Sequence, residues 1–149
     1  MTRILFICHG NICRSPMAEF VMKDLVKEAG LEDQFEIASA AVSREELGNP
    51  VYSPARRILA QHGIRCDGKF SRLMTPADYS KYDYLVCMDR SNLLRLERII
   101  GNDPENKVSL LLDHAGIYRD VADPWYTGDF EATWNDVLAG CEALFEKLK

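Results

Sequence analysis

Two cysteines and an arginine stand close together near the start of the chain, in "ILFICHGNICRSP" at positions 4–16. Cys8 ends a continuous apolar run, Gly10 and Asn11 follow, and Cys13-Arg14-Ser15-Pro16 completes the stretch. Gly and Asn both tolerate positive φ, so this loop can curl its backbone N–H groups toward one centre. Ser15-Pro16 predicts a helix start, with Ser a favoured N-cap and Pro suited to the first helical position. The positive end of that helix would then face the loop. Arg14 adds a planar fork matched to bidentate contact with a phosphate. The stretch is therefore an anion cradle with Cys8 at its edge. Helix N-termini and neighbouring cations favour the thiolate form of a cysteine, and the Ser15 hydroxyl can donate to it. A thiolate aimed into an oxyanion site is a nucleophile for phosphorus. The Cys8-x5-Arg14 spacing fits that chemistry, because nucleophile and clamp must face one phosphoryl group.

Other readings of the same residues have less behind them. Cys8 and Cys13, with His9 adjacent, fall within zinc-ligand spacing, but no second Cys/His pair of suitable spacing appears. Neither a metal nor another cofactor is expected. The loop also lacks the Gly-Lys-Ser/Thr ending of a nucleotide P-loop. A plain structural cysteine at a strand end leaves Arg14 and the Gly-Asn turn unexplained.

Positioning these residues requires a strand before the loop and a helix after it, and the chain alternates the two throughout. "RILFICH", "FEIASA", "YDYLVCM" and "KVSLLLD" read as strands. Helical segments run from Ser15-Pro16 to Gly30, from Ser53-Pro54 to Gly63, over "SNLLRLERIIG", and from Phe130 to the end. The apolar residues Trp134, Val137, Cys141, Leu144 and Leu148 form one face of the last helix. The expected fold is α/β: a small doubly wound, four-stranded parallel sheet with helices on both faces, a flavodoxin-like or Rossmann-like three-layer domain spanning residues 1–149. Ligands in such sheets bind beyond the carboxyl ends of the strands at the switch point, where Cys8 would lie. The segment from Asp113 to Asp129, containing "VADPWYTGD", is too long for a plain connection and reads as functional.

Composition is that of an ordinary globular protein of 149 residues, 47% hydrophobic and 28% charged. A net charge of −5 argues against a nucleic-acid or anionic-membrane surface, while allowing a local basic pocket. No run approaches the ~20 apolar residues of a membrane span. Five scattered cysteines without a signal peptide point to a reduced, cytoplasmic protein.

"CHGNICRSPMAE" near the start, "VCMDRSNL" in the middle and "DPWY" near the end resemble the low-molecular-weight protein tyrosine phosphatases, in the family's order and over essentially the whole chain. The resemblance implies that Cys8 attacks the phosphate of phosphotyrosine and becomes phosphocysteine. Arg14 and the loop residues His9, Gly10, Asn11, Ile12, Cys13 and Ser15 would hold the phosphate. Asp123 would act as general acid and then general base, a role a carboxyl on a long loop can serve by swinging over the cradle. Asp120 is its competitor, but Asp123 directly precedes Pro124 and the aromatic pair. Asn11, Ser15, Ser39 and His62 match a polar network that shapes the loop, and Asp89 matches a structural aspartate. Trp125 and Tyr126 would flank the phosphotyrosine ring. Ile12 favours phosphotyrosine, since a branch acting on phosphoarginine has threonine there. Cys13 would guard the nucleophile through a reversible disulfide. Implied partners are phosphotyrosine proteins or peptides, with phosphate and other oxyanions as inhibitors, and a monomer or weak dimer as the assembly.

The chain departs from the pattern in two places. Glu45 stands where many relatives have an aromatic residue, and Tyr52-Ser53-Pro54 replaces an Asp-x-Arg pair, which leaves one pocket wall unassigned. His9 occupies a variable position that can touch substrate. A thioredoxin-coupled arsenate reductase shares the Cys-x5-Arg loop but needs two further cysteines close together, and Cys66, Cys87 and Cys141 are far apart. A protein-arginine phosphatase and a non-catalytic phosphopeptide-binding module are the remaining alternatives.

Overall fold

The computed structural model describes residues 1–149. Four parallel strands form one sheet in the order β2-β1-β3-β4: β1 (Thr2–Cys8), β2 (Phe35–Ala41), β3 (Tyr84–Cys87) and β4 (Val108–Leu110). β1 lies between β2 and β3, with Ile4 opposite Ile37 on one side and Tyr84 on the other. The chain therefore leaves β1 in one direction and returns to β3 in the other. Cys8 closes β1 at that switch point, as the sequence predicts.

Alternation along β1 divides the core between two layers. Ile4, Phe6 and Cys8 face a larger apolar cluster built with α1 (Arg14–Glu28), α2 (Ser53–Gln61) and α6 (Phe130–Leu148). Leu5 and Ile7 face a second cluster that includes Leu85, Cys87 and Leu96, the last from α4 (Arg90–Ile100). Both faces of the strand are dry, which is why its sequence is a continuous apolar run. α6 seats against the chain that follows β4 through Gly140, where a Cβ would collide with the Leu111 side chain.

Several local expectations are corrected. α1 begins at Arg14 with Cys13 at its N-cap, so Ser15 is inside the first turn and its hydroxyl is free to turn toward Cys8. Tyr52, not Ser53, caps α2. β3 and β4 are shorter than the apolar runs that contain them: they end at Cys87 and Leu110, with the Leu111 N–H closing the pairing on the Cys87 carbonyl at 2.9 Å. The 113–129 segment is not bare loop: a 3-10 turn covers Leu112–Ala115 and a short helix, α5, covers Pro124–Thr127. One helix, α3 (Pro76–Lys81), has no apolar period to announce it in its 6 residues.

α3 is held by polar contacts. Asp78 accepts from the Thr75 N–H at 2.9 Å and from both terminal nitrogens of Arg72, at 3.2 and 3.0 Å. Burial alone would raise the Asp78 carboxyl, but the Arg72 and Thr75 donors outweigh it and hold the group below its ordinary value. A depressed carboxylate stabilises the fold above its unfolded pKa, near ~3.9, and loses that contribution as pH falls through the folded value. Asp78→Asn should therefore be less stable than the parent above about pH 4, with the gap closing under stronger acid. Urea midpoints measured across pH 2–7 check this.

Candidate active site

The loop between β1 and α1 wraps a sulfur atom. Asn11 adopts φ 60°, a left-handed conformation that asparagine tolerates better than most residues. That turn brings the Asn11 N–H to 3.3 Å from Cys8 Sγ, and the Ser15 N–H reaches the same atom at 3.4 Å. Ser15 Oγ stands 3.0 Å from it. Gly10 is not left-handed, so its role differs from the one its sequence position implies. A Cβ there would lie 3.2 Å from Glu46 Cγ, and the glycine lets the next loop approach.

The direction of each hydrogen bond behind the sulfur follows from counting protons. The Asn11 side-chain amide donates to Ser15 Oγ at 2.8 Å and to Ser39 Oγ at 2.9 Å, which uses both of its hydrogens. Its oxygen accepts from the Arg72 N–H at 3.3 Å. Ser39 donates its own proton to Glu19 Oε1 at 2.6 Å. Ser15, already an acceptor from Asn11, has its proton to give to Cys8. The Asn11 and Ser15 amides and the Ser15 hydroxyl thus converge as donors on one sulfur. Asn11, Ser15 and Ser39 are thus brought together as expected.

His62 is not. It stacks on Trp134 with 3.9 Å between ring centroids and 8° between planes, on the exposed side of the helix pair. The far end of the network is instead Glu19, which sequence reading missed. Its buried carboxylate is offset by Lys23 at 2.6 Å and Lys69 at 3.7 Å, and Lys69 also donates to the Ser39 carbonyl at 2.8 Å. Burial pulls the Lys69 ammonium down, with Glu19 opposing. The one available signal was a carboxylate in the middle of the apolar-rich α1, which is unusual unless it is paired.

Arg14 is 2% exposed. Nη1 donates to Asp89 Oδ2 at 2.6 Å and to the Val121 carbonyl at 2.9 Å, occupying both of its hydrogens. Nη2 reaches Asp123 Oδ2 at 3.3 Å. The guanidinium is anchored on one side, which leaves Nε and the other Nη2 hydrogen as the edge available for a bidentate contact. Burial pulls its pKa down, but the neighbouring Cys8, Asp89 and Asp123 more than offset this, so the net direction is upward. Asp89 is placed by α4, whose N-cap it forms by accepting from the Asn92 N–H at 2.7 Å. Its work is to aim Arg14.

Asp123 caps α5, accepting from the Trp125 N–H at 3.1 Å. Asp120 lies elsewhere, accepting from the Arg90 N–H at 3.2 Å. Cys8, Arg14 and Asp123 together line a pocket of about 440 Å³, counting its open mouth, with Ile12, Trp125 and Tyr126 among its walls. Tyr52 packs on Trp125 at 5.0 Å and on Phe130 at 6.0 Å. It braces the Trp125 wall from outside the pocket, while Glu45 itself lines the pocket where the sequence left a wall unassigned. Cys13 also lines the pocket, and its thiol is pushed up by burial first and then by Cys8 and Asp123, so it stays protonated.

A sulfur under converging donors, faced by a half-anchored guanidinium at the switch point of a doubly wound sheet, belongs to an α/β phosphatase. The model for the low molecular weight phosphotyrosine protein phosphatase family matches residues 3–149. The Bacillus subtilis low molecular weight protein-tyrosine-phosphatase YfkJ is 36% identical over 151 residues, covering 100% of this chain and 97% of that protein. Its crystal structure superposes with a TM-score of 0.96 at 37% identity, over 99% of this chain and 94% of the other. The rat low molecular weight phosphotyrosine protein phosphatase is 38% identical over 97% of this chain and 94% of its own. A Drosophila arginine phosphatase superposes with a TM-score of 0.90 at 32% identity, over 100% of this chain and 98% of the other. The chain belongs to the low-molecular-weight protein-tyrosine-phosphatase family.

Two substitutions separate the backbone and side-chain work of Asn11. Asn11→Gly keeps the left-handed turn and loses three side-chain hydrogen bonds. Asn11→Ala loses the same bonds and adds strain of roughly 1–2 kcal/mol. Both should destabilise by several kcal/mol, at about 1 kcal/mol or more per buried bond. Asn11→Ala should be the worse of the two in chemical denaturation.

Proposed function

We propose that residues 1–149 act as one phosphatase domain that hydrolyses phosphotyrosine through a phosphocysteine on Cys8. The observation that carries this reading is the convergence of the Asn11 and Ser15 amides and the Ser15 hydroxyl on Cys8 Sγ, in the pocket that Arg14 also lines. The Cys8 thiolate forms an S–P bond as the bond between phosphorus and the phenolic oxygen breaks. The Asp123 carboxyl gives its proton to that oxygen, and tyrosine leaves. The same Asp123, now a carboxylate, takes a proton from a water whose oxygen attacks phosphorus. The S–P bond breaks, phosphate departs and the thiolate is restored. Arg14 and the loop amides between residues 9 and 14 that are not turned to Cys8 hold the non-bridging oxygens, where the charge of the transition state is spread.

Trp125, Tyr126 and Ile12 supply apolar walls for an aryl group. Free phosphate and other oxyanions compete for the same cradle. Cys13, a neutral thiol beside Cys8, serves as the guard that can close a disulfide with an oxidised nucleophile. All five cysteines are free thiols, in keeping with a reducing cytoplasm, and no helix is long and apolar enough to cross a membrane. A disulfide relay of the arsenate-reductase kind finds no support, because Cys66, Cys87 and Cys141 are each buried in the core.

Cys8→Ser should abolish hydrolysis of p-nitrophenyl phosphate and of phosphotyrosine peptides. Asp123→Asn should lower kcat by about 10²–10⁴-fold, the range for losing a general acid–base, and leave binding of the product phosphate near normal. A chelator should change neither rate. Full activity in the Cys8→Ser variant refutes the mechanism. Because an arginine phosphatase is among the structural relatives, kcat/KM for phosphotyrosine and phosphoarginine should be compared directly. The phosphotyrosine value is expected to be the higher, and the reverse order overturns the reading of Ile12.

A further inference from the structure

The mouth of the pocket carries two carboxylates for which the phosphoryl chemistry has no use. Glu45 and Glu46 both line it, on the chain that follows β2, while the aromatic residues Trp125 and Tyr126 come from the chain that follows β4. Each is held through a single oxygen. Glu45 Oε2 lies 3.1 Å from His9 Nε2, and Glu46 Oε2 accepts from Asn49 Nδ2 at 2.7 Å. Neither meets a lysine or an arginine, unlike the buried Glu19 and the half-buried Asp89 of the same site. The second oxygen of each remains for a ligand.

The loop that carries them is fixed to the phosphate loop. The Ser43 N–H donates to the His9 carbonyl at 3.1 Å, and the Glu45 N–H donates to Ser43 Oγ at 3.2 Å. Further along, the Gly48 N–H donates to the Ser71 carbonyl at 2.9 Å, while the Ser71 hydroxyl donates to the Gly10 carbonyl at 2.8 Å. Gly10 permits the Glu46 stem to lie against it. The two carboxylates are consequently held in register with the phosphorus site. Around the same mouth, Trp125 is 52% exposed and Tyr126 82%, so Tyr126 and the part of Trp125 not packed by Tyr52 are open to a partner. Carboxylates and aromatic faces at one mouth are the set that binds an ammonium or guanidinium group.

We propose that Glu45 and Glu46 form a specificity-determining lip that selects phosphotyrosine flanked by lysine or arginine in the substrate chain. The proposal rests on the reading of Cys8 as a phosphotyrosine hydrolase. With the phosphate on the loop, the residues next to the phosphotyrosine must cross this lip. Basic neighbours meet carboxylates that no lysine or arginine neutralises, together with aromatic faces, whereas acidic neighbours meet like charge. Exposed ion pairs shift equilibria by roughly 1.5- to 5-fold each, so the two glutamates should give a preference on the order of tenfold.

The test uses three phosphotyrosine peptides of equal length with lysine, alanine or glutamate on both sides of the phosphotyrosine. For each, kcat/KM is divided by the value for p-nitrophenyl phosphate on the same enzyme, which removes any general loss of activity. The parent protein should favour the lysine peptide over the glutamate peptide by about tenfold at low salt, with a smaller ratio in 0.5 M salt because ions screen exposed pairs. The ratio should reside in KM. Glu45→Gln with Glu46→Gln should bring it close to one, Glu45→Lys with Glu46→Lys should invert it, and Glu45→Asp with Glu46→Asp should restore it in part. Equal rates for the two peptides on the parent, or a ratio that survives the double glutamine change, overturn the lip alone. Hydrolysis of p-nitrophenyl phosphate with no turnover of any peptide overturns the phosphotyrosine reading, and the lip with it.

Discussion

A permanently charged guanidinium buried to 2% exposure is the constraint around which this protein is arranged. Taking an arginine out of water costs several kcal/mol unless anions and acceptors surround it. Arg14 finds them on two separate parts of the chain: Asp89 at the start of α4, and the Val121 carbonyl with Asp123 just ahead of α5. The Val121 N–H in turn donates to the Met88 carbonyl at 2.9 Å, tying the same segment to the end of β3. The long stretch after β4 is therefore held by the charge it serves. Because Nη1 is fully used by the protein, the guanidinium has one orientation, and its remaining edge is set before any substrate arrives.

Behind the Cys8 sulfur the same economy applies to protons. The Asn11 amide has two hydrogens and gives both to hydroxyls, so neither Ser15 nor Ser39 is free to choose a direction. Ser39 must donate toward Glu19, and Ser15 toward Cys8. Glu19 fixes the far end of the chain of bonds, and Lys23 and Lys69 offset its charge so that the sulfur does not face an uncompensated anion. A loop in a left-handed conformation persists only where its surroundings over-determine it. Here the side chains of three elements and the Arg72 backbone do so.

Charge is handled differently at the floor of the pocket and at its rim. The carboxylates near the floor are matched by arginine or lysine, whereas those of Glu45 and Glu46 are not. The aromatic wall is likewise a composite: Trp125 stands out from α5, and Tyr52 from the cap of α2 braces it. A tyrosine in the segment that departs from the family pattern thus supplies support from a different backbone position.

The loop around Cys8 was legible in the sequence because its parts are contiguous. Cys8, the Gly-Asn turn, Arg14 and Ser15 act through local geometry, a strand end followed by a turn and a helix N-terminus, and local geometry is what neighbouring residue types specify. The parallel sheet was legible for a similar reason, since strands buried on both faces are continuous apolar runs. The short α3, held by Asp78 and Arg72, had no such period to read. Nor did local pattern say that Glu19 and Lys69, not His62, complete the network, that Asp89 aims Arg14, or that Asp120 turns to Arg90; Asp123 was singled out only by its place before Pro124 and the aromatic pair. Those outcomes depend on which side chains meet across elements dozens of residues apart. A residue's type and its neighbours carry the chemistry it can perform, but only the packed chain determines which partner it performs it with.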